Sequence, residues 1–175
     1  MDYHDHEWGV PEKDSQKLFA LLMLEAFQAG LSWITILKKR EAFFQAFAGF
    51  APEVVARWGE GEVESLLQNA GIIRHRGKIE AVIRGAKAYL SIEAREGFSP
   101  FIWSAVQGRP LQNRFQTLGM VPASTPASIT LSKRLKAEGF GFCGPTTCYA
   151  FMQAAGLVND HLTHCPRHAE VAQLR

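Results

Sequence analysis

The sequence lacks any long uncharged apolar run, and this absence excludes an ordinary membrane-spanning helix. Stretches such as residues 18–24 and 33–37 are far shorter than the roughly 20 residues that cross a bilayer. Residues 1–9 have neither a basic start nor an apolar centre, so no secretory signal peptide is predicted. We therefore expect a soluble protein that acts in the cytoplasm and has no membrane partner.

Cysteine is also scarce, because the chain contains only Cys143, Cys148 and Cys165. Three thiols cannot all pair within one chain, and a reducing compartment would keep them as thiols or metal ligands. Disulfide bonds are therefore not expected.

Strong net charge is missing as well. Nineteen Lys and Arg residues against 17 Asp and Glu residues give a formal charge of +2, whereas many dedicated nucleic-acid binders are strongly basic. Cations do gather at residues 38–40, 74–78 and 133–136. Short runs of this kind are equally typical of a solvated helix surface, so charge alone decides nothing.

Alternating strand patterns are nearly absent, whereas signals for helix starts and ends recur along the chain. The 175 residues, 47% of them hydrophobic, suffice for one sizeable core, so we predict a single all-α domain over residues 1–175. Residues 108–122 are predicted to be irregular, and the tail after Gly156 is polar. The predicted helices cover residues 14–28, 32–47, 52–58, 61–69, 78–93, 99–106, 125–138 and 145–155.

A glycine-rich connection (residues 139–144, Gly-Phe-Gly-Phe-Cys-Gly) joins the last two predicted helices and is followed by Pro-Thr-Thr. Glycines let backbone N–H groups approach a ligand closely, and the positive end of the next helix favours an anion. From these residues alone, a phosphate site and a plain turn between two helices both remain open.

Four further segments carry recognisable motifs: residues 3–11 (YHDHEWGVP), 24–35, 70–79 and 156–161. Together with the glycine-rich connection, they resemble the DNA-3-methyladenine glycosylase I family of the helix-hairpin-helix superfamily, over essentially the whole chain. The resemblance implies base excision repair. The enzyme would hydrolyse the N-glycosidic bond of 3-methyladenine in double-stranded alkylated DNA, release the free base and leave an abasic site.

Glu25 is conspicuous even without a family, because residues 21–27 place its carboxylate in a helix that is apolar almost all round. An unpaired buried charge is costly. An ion pair, or a narrow polar stripe shared with Gln28, would explain it structurally. The resemblance instead implies that Glu25 is catalytic and contacts the excised base, whose alkylation at N3 makes it a cationic leaving group that a carboxylate can recognise.

A base flipped out of the duplex needs flat partners, although a Trp or Tyr is more often ordinary core. The resemblance implies that Tyr3 and Trp33 line the base pocket, with Trp8 beside them. No lysine lies within residues 146–153, where relatives that form a Schiff base carry one, so a monofunctional hydrolase is expected. We expect Asp160 to orient His161 or cap the chain locally rather than to activate water.

A metal site near the two ends of the chain is also expected. His161 and Cys165 stand four residues apart, and His4 lies at the other end of the chain; His and Cys are suitable zinc ligands, although a polar tail could equally be solvated. The resemblance implies one structural zinc ion that ties the termini together through His4, His161 and Cys165. The fourth ligand is absent from this chain, since family members begin with a further stretch that holds a cysteine. Either the sequence is truncated, or His6, His164, His168 or water completes the site.

DNA is expected to be held through a phosphate near the lesion. The residues expected to contact it are Gly141, Phe142, Cys143, Gly144, Thr146, Thr147 and Lys133, with Lys136 as a further charge. Residues 74–78 are expected to support the fold rather than contact DNA. A catalytically impaired DNA-binding module with a shortened N-terminus is the alternative, and a zinc-dependent hydrolase is a third. We expect a monomer.

Overall fold

The structure, a computed structural model, describes residues 2–174; the ends of the predicted domain, Met1 and Arg175, lie outside the described residues. It is mostly helical, which confirms the all-α prediction. Short 3-10 turns cover Ala48–Phe50, Ser104–Val106 and Leu118–Met120. The α-helices are α1 Asp2–His6, α2 Ser15–Gln28, α3 Trp33–Ala46, α4 Pro52–Val55, α5 Glu60–Leu67, α6 Arg76–Arg95, α7 Phe98–Trp103, α8 Pro126–Glu138, α9 Pro145–Ala154 and α10 Pro166–Ala172.

Four features differ from the sequence-based expectation. Helices α1 and α10 lie in terminal segments for which no helix was predicted, and α6 begins at Arg76 because the His75 side chain accepts a hydrogen bond from the Lys78 N–H. Two short strands, β1 Leu111–Gln112 and β2 Val158–Asn159, pair in parallel. Strands of two residues are too short to show a period of two in a sequence.

Helix α2 lies at the centre of the core and is buried on nearly every side. Asp14 caps its N-terminus by accepting a hydrogen bond from the Lys17 N–H at 2.9 Å. Its apolar residues pack against α3, α6, α7 and α9. The aromatic rings of Phe27, Phe43 and Phe47 lie in contact around its C-terminal half. The core therefore encloses the helix that carries Glu25.

The N-terminal segment crosses the end of α9 at two glycines. A Cβ on Gly156, whose φ is +74°, would lie 2.4 Å from the nitrogen of Pro11, and a Cβ on Gly9 would lie 2.9 Å from Nε2 of His161. Backbone hydrogen bonds run from the Gly9 N–H to Ala154 and from the Glu12 N–H to Ala155. These close approaches bring residues 3–9 beside residues 161–165.

Within residues 2–174, no helix combines the length and the apolar character needed to cross a membrane.

Candidate functional site

Glu25 lies near the C-terminal end of α2 with only 5% of its surface exposed. Among residues 2–174, it has no ion-pair partner, and burial alone raises the pKa of its carboxyl group to about 8. A buried carboxyl group without a partner is costly in an unliganded protein. The structure therefore excludes the ion pair that would have given Glu25 a purely structural role.

Tyr3 and Trp33 form an aromatic wall next to Glu25. Their ring centroids are 5.4 Å apart with the planes tilted by 40°, so the rings are in contact and form one continuous surface. Burial raises the pKa of the Tyr3 hydroxyl, and the nearby charge of Glu25 raises it further. Among residues 2–174, the buried indole N–H of Trp33 has no acceptor. The aromatic wall thus offers a flat surface near the Glu25 carboxyl group and carries an indole donor of its own.

Two cavities open on either side of Tyr3. One, of about 520 Å³, is lined by the aromatic wall, Trp8, Leu118 and residues of the C-terminal tail. The other, of about 670 Å³, is lined by Tyr3, Leu24, Arg40 and Phe44 among others. Glu25 lines neither cavity, but its charge acts on the Tyr3 hydroxyl, so its carboxyl group lies near the Tyr3 side chain that lines both.

Trp8 lines the first cavity, where its ring packs against two histidines. Its ring stacks on His4 at 5.9 Å between centroids and meets the edge of His161 at 4.8 Å. The side chain consequently belongs to the histidine cluster as much as to the aromatic wall. Its contact with a base stays a prediction.

His4, His161 and Cys165 come together as the sequence predicted, with ligand atoms that all lie within 4.8 Å of one another. Nε2 of His161 donates to the carbonyl oxygen of Trp8 at 2.9 Å, which leaves Nδ1 facing the Cys165 sulfur at 4.0 Å. Nδ1 of His4 lies 3.0 Å from a carboxylate oxygen of Asp5, which leaves Nε2 free to coordinate. A second partner that fixes the histidine tautomer in this way is typical of metal ligands.

The other candidate ligands lie elsewhere. His6 pairs with Asp2 at 3.4 Å, and Nε2 of His168 lies 2.7 Å from the Asn113 carbonyl oxygen. His164 lines the first cavity outside the cluster. In the part of the chain that the structure describes, three ligands therefore form the group.

Asp160 does not orient His161, so that part of the expectation was wrong. The Trp8 carbonyl orients the ring, because the chain crossing brings the Trp8 backbone to it. Asp160 is buried and accepts hydrogen bonds from Tyr149, from Gln153 at 3.0 Å and from Asn113 at 2.7 Å. These bonds tie α9 to the segment after β1, which agrees with the expected local capping. They also leave the Asp160 carboxylate no free oxygen to act as a general base.

The glycine-rich connection turns the chain from α8 into α9. Gly139 and Phe142 have φ values of +109° and +56°, and the Ser132 hydroxyl donates to the Cys143 carbonyl at 2.6 Å. Helix α9 starts with no side-chain cap at Gly144. The N–H groups of Thr146 and Thr147 have no intrahelical acceptor in this first turn, so they are available to an anion.

Residues 74–78 support the fold, as expected. Arg76 forms ion pairs with Glu60, Glu64 and Glu80. The ammonium group of Lys78, 7% exposed, donates to the Phe27 and Ala29 carbonyls at 2.9 and 2.8 Å and so caps the C-terminus of α2. Lys133 is exposed on α8, and within residues 2–174 its side chain forms no hydrogen bond or ion pair with the glycine-rich connection.

Sequence reasoning missed the ion pair between Arg40 and Glu7, whose atoms are 2.6 Å apart. It ties α3, which begins with Trp33, to the N-terminal segment that carries Tyr3. Arg40 belongs to a basic run that also fits a solvated surface, so no local signal points to this partner 33 residues away.

A helical domain with a buried, unpaired carboxyl group beside an aromatic wall, and with a helix start open to an anion, fits the class of helical enzymes that act on a base in DNA. The sequence matches the family model for methyladenine glycosylases over residues 1–168. The chain belongs to this family.

Individual relatives agree with the family. The chain is 54% identical over 167 residues to the DNA-3-methyladenine glycosylase of Haemophilus influenzae, covering 95% of this chain and 90% of the relative. It is 57% identical over 164 residues to DNA-3-methyladenine glycosylase 1 of Escherichia coli, covering 93% and 88%.

Solved structures agree as well. A crystal structure of 3-methyladenine DNA glycosylase I superposes with a TM-score of 0.93 at 56% identity, covering 94% of this chain and 91% of that one. The Staphylococcus aureus enzyme, whose structure describes the basis of 3-methyladenine recognition, has a TM-score of 0.92 at 44% identity, with 94% and 88% covered.

Proposed function

We propose that this chain removes 3-methyladenine from alkylated double-stranded DNA by hydrolysis of the N-glycosidic bond, with Glu25 as the residue that meets the base. The observation that carries the assignment of Glu25 is its burial without a partner, which raises the pKa of its carboxyl group to about 8. The reaction is a step of base excision repair. It releases the free base and leaves an abasic site.

The charge of the lesion explains why the carboxyl group has no partner in the free protein. Adenine alkylated at N3 is cationic, and an opposite charge nearby favours the ionised carboxylate. As the glycosidic bond breaks, its electron pair stays with the base, which leaves as a neutral molecule, and positive charge develops on the sugar. A carboxylate in a site of low dielectric stabilises that charge, and water then attacks C1′.

The absence of a lysine side chain near the start of α9 determines that the base is removed without cleavage of the DNA strand. Residues 146–153 of α9 contain no lysine, so no Schiff base with the sugar forms there, and the DNA strand is not cleaved. With Asp160 held by three donors, departure of an already activated base matters more than activation of water.

His4, His161 and Cys165 are the residues that would hold one zinc ion. Two imidazoles and a thiolate are suitable donors, and the hydrogen bonds of both histidines leave one ring nitrogen free on each. Zinc in such a site supplies structural cross-linking: it would join the N-terminal segment, which carries Tyr3 and Trp8, to the C-terminal tail. Water or another ligand would complete the coordination of such an ion.

The glycine-rich connection and the start of α9 form the proposed binding site for a DNA phosphate. Backbone groups of Gly141, Phe142, Cys143 and Gly144, with Thr146 and Thr147, would hold a phosphate, and Lys133 would add charge. Contacts of this kind position the duplex without reading its sequence.

The central experiment replaces Glu25 with Gln and measures release of 3-methyladenine from methylated duplex DNA under single-turnover conditions. We expect the rate to fall on the order of 100-fold, because a group that stabilises developing charge is lost, while affinity for undamaged duplex is unchanged. Glu41→Gln, at an exposed position of α3, is the matched control and should retain the wild-type rate.

An unchanged rate for Glu25→Gln would remove this residue from the mechanism. A wild-type chain that binds methylated DNA but releases no base would support the DNA-binding module instead.

A further inference from the structure

Helix α6 carries three arginines, Arg76, Arg84 and Arg95, and two of them are engaged in ion pairs. Arg76 meets three glutamates, and Arg95 meets Glu96 at 3.1 Å and Glu138 at 2.6 Å. Arg84 is exposed, and within residues 2–174 no carboxylate oxygen lies within 4.0 Å of its guanidinium group. The fold therefore gives this cation no partner of its own.

The guanidinium group of Arg84 lies against the glycine-rich connection. A Cβ on Gly141 would be 2.9 Å from Nη2 of Arg84 and 3.3 Å from Cβ of Ala81. One residue along α6, a Cβ on Gly85 would meet the Phe140 ring at 3.3 Å. The connection thus rests on α6, and the guanidinium group occupies the space that a side chain at residue 141 would need.

A second cation flanks the connection from α8. Burial raises the pKa of the Cys143 and Cys148 thiols, and the nearby charge of Lys136 opposes this rise for both. Lys136 lies in the last turn of α8, and its carbonyl oxygen accepts a hydrogen bond from the Gly139 N–H at 3.1 Å, so it lies beside the glycine-rich connection. Glu138, the carboxylate at the end of the same helix, is taken by Arg95, so it does not neutralise this positive surface.

We infer that Arg84 binds a DNA phosphate beside the one proposed for the glycine-rich connection, and that glycine at residue 141 leaves room for the guanidinium group to lie there. The inference rests on the proposed DNA contact of that connection. A guanidinium group donates two parallel N–H groups to a phosphate. The contact adds affinity without sequence preference.

The test measures binding to a short undamaged duplex by fluorescence anisotropy over a range of salt concentrations. For Arg84→Gln, the slope of log affinity against log salt should fall by about 1, since one phosphate contact fewer releases fewer counterions. Arg95→Gln is the control on the same helix, and its slope should equal that of the wild type. A Cβ at residue 141 would shift the guanidinium group. Gly141→Ala alone should therefore lower the slope, whereas the double variant Gly141→Ala/Arg84→Gln should have the same slope as Arg84→Gln.

A fourth variant separates this inference from the proposed phosphate contact of the glycine-rich connection. Thr146→Glu places a negative charge at the exposed start of α9, where an acidic residue favours the helix but repels a phosphate. Loss of binding in Thr146→Glu with an unchanged slope in Arg84→Gln would overturn the role of Arg84 alone. Unchanged binding in Thr146→Glu would overturn the DNA contact of the glycine-rich connection itself.

Discussion

At the scale of single residues, Glu25 shows what a sequence reveals and what it cannot. A carboxylate within an apolar helix is visible in residues 21–27, but the absence of a partner depends on every helix packed around α2. Asp160 shows the opposite case. Its three donors come from two separate parts of the chain, α9 and the segment after β1, so no local pattern could distinguish its capping role from orientation of His161.

The raised pKa of Glu25 predicts a specific dependence of stability on pH. The folded chain keeps the proton up to about pH 8, whereas the unfolded chain loses it near pH 4.5. The wild type should therefore lose stability as pH rises between these values, and Glu25→Gln should not. At pH 7 the variant should be more stable by about 3 kcal/mol, from the size of the shift.

Urea denaturation of both proteins at pH 4.5 and pH 7 measures this difference. Glu41→Gln should follow the wild type at both pH values, since its carboxyl group is exposed. An equal stability difference between wild type and Glu25→Gln at the two pH values would contradict the assigned pKa.

At the scale of secondary structure, caps and glycines predicted eight helices because each signal lies within a few residues of a helix end. Helices α1 and α10 were missed because both are short segments rich in polar residues. The start of α6 was placed two residues late since histidine is not a common N-cap residue. The glycine-rich connection was located correctly, whereas its contact with Arg84 joins residues 57 positions apart and leaves no trace in local sequence.

Helix α2 depends on a cap from another helix, and Lys78→Met tests this dependence. The substitution keeps an apolar stem but leaves the Phe27 and Ala29 carbonyls without the ammonium donor. We expect the free energy of unfolding to fall by about 1–3 kcal/mol. Urea denaturation would show the change, and Lys87→Met, at an exposed position of α6, should be neutral. Equal stability of the two variants would mean that the cap contributes nothing.

At the scale of the whole molecule, the proposed zinc ion should act on stability before it acts on chemistry. Cys165→Ser should lower the zinc content measured by atomic absorption and lower the Tm, because the cross-link between the two ends of the fold is weakened. His164→Gln, outside the cluster, should keep both at the wild-type level. Excision by Cys165→Ser should persist well below its Tm; a chelator that stops excision while the protein remains folded would indicate a catalytic metal instead.

The crossing at Gly9 and Gly156 affects the order in which parts of the chain fold during synthesis. Residues 9–12 find their backbone partners at residues 154 and 155, so Tyr3 and Trp8 cannot take their places until almost the entire chain has left the ribosome. Contacts between such distant positions form late because a large loop must close first. The ability to accept a damaged base is therefore among the last properties that a nascent chain acquires.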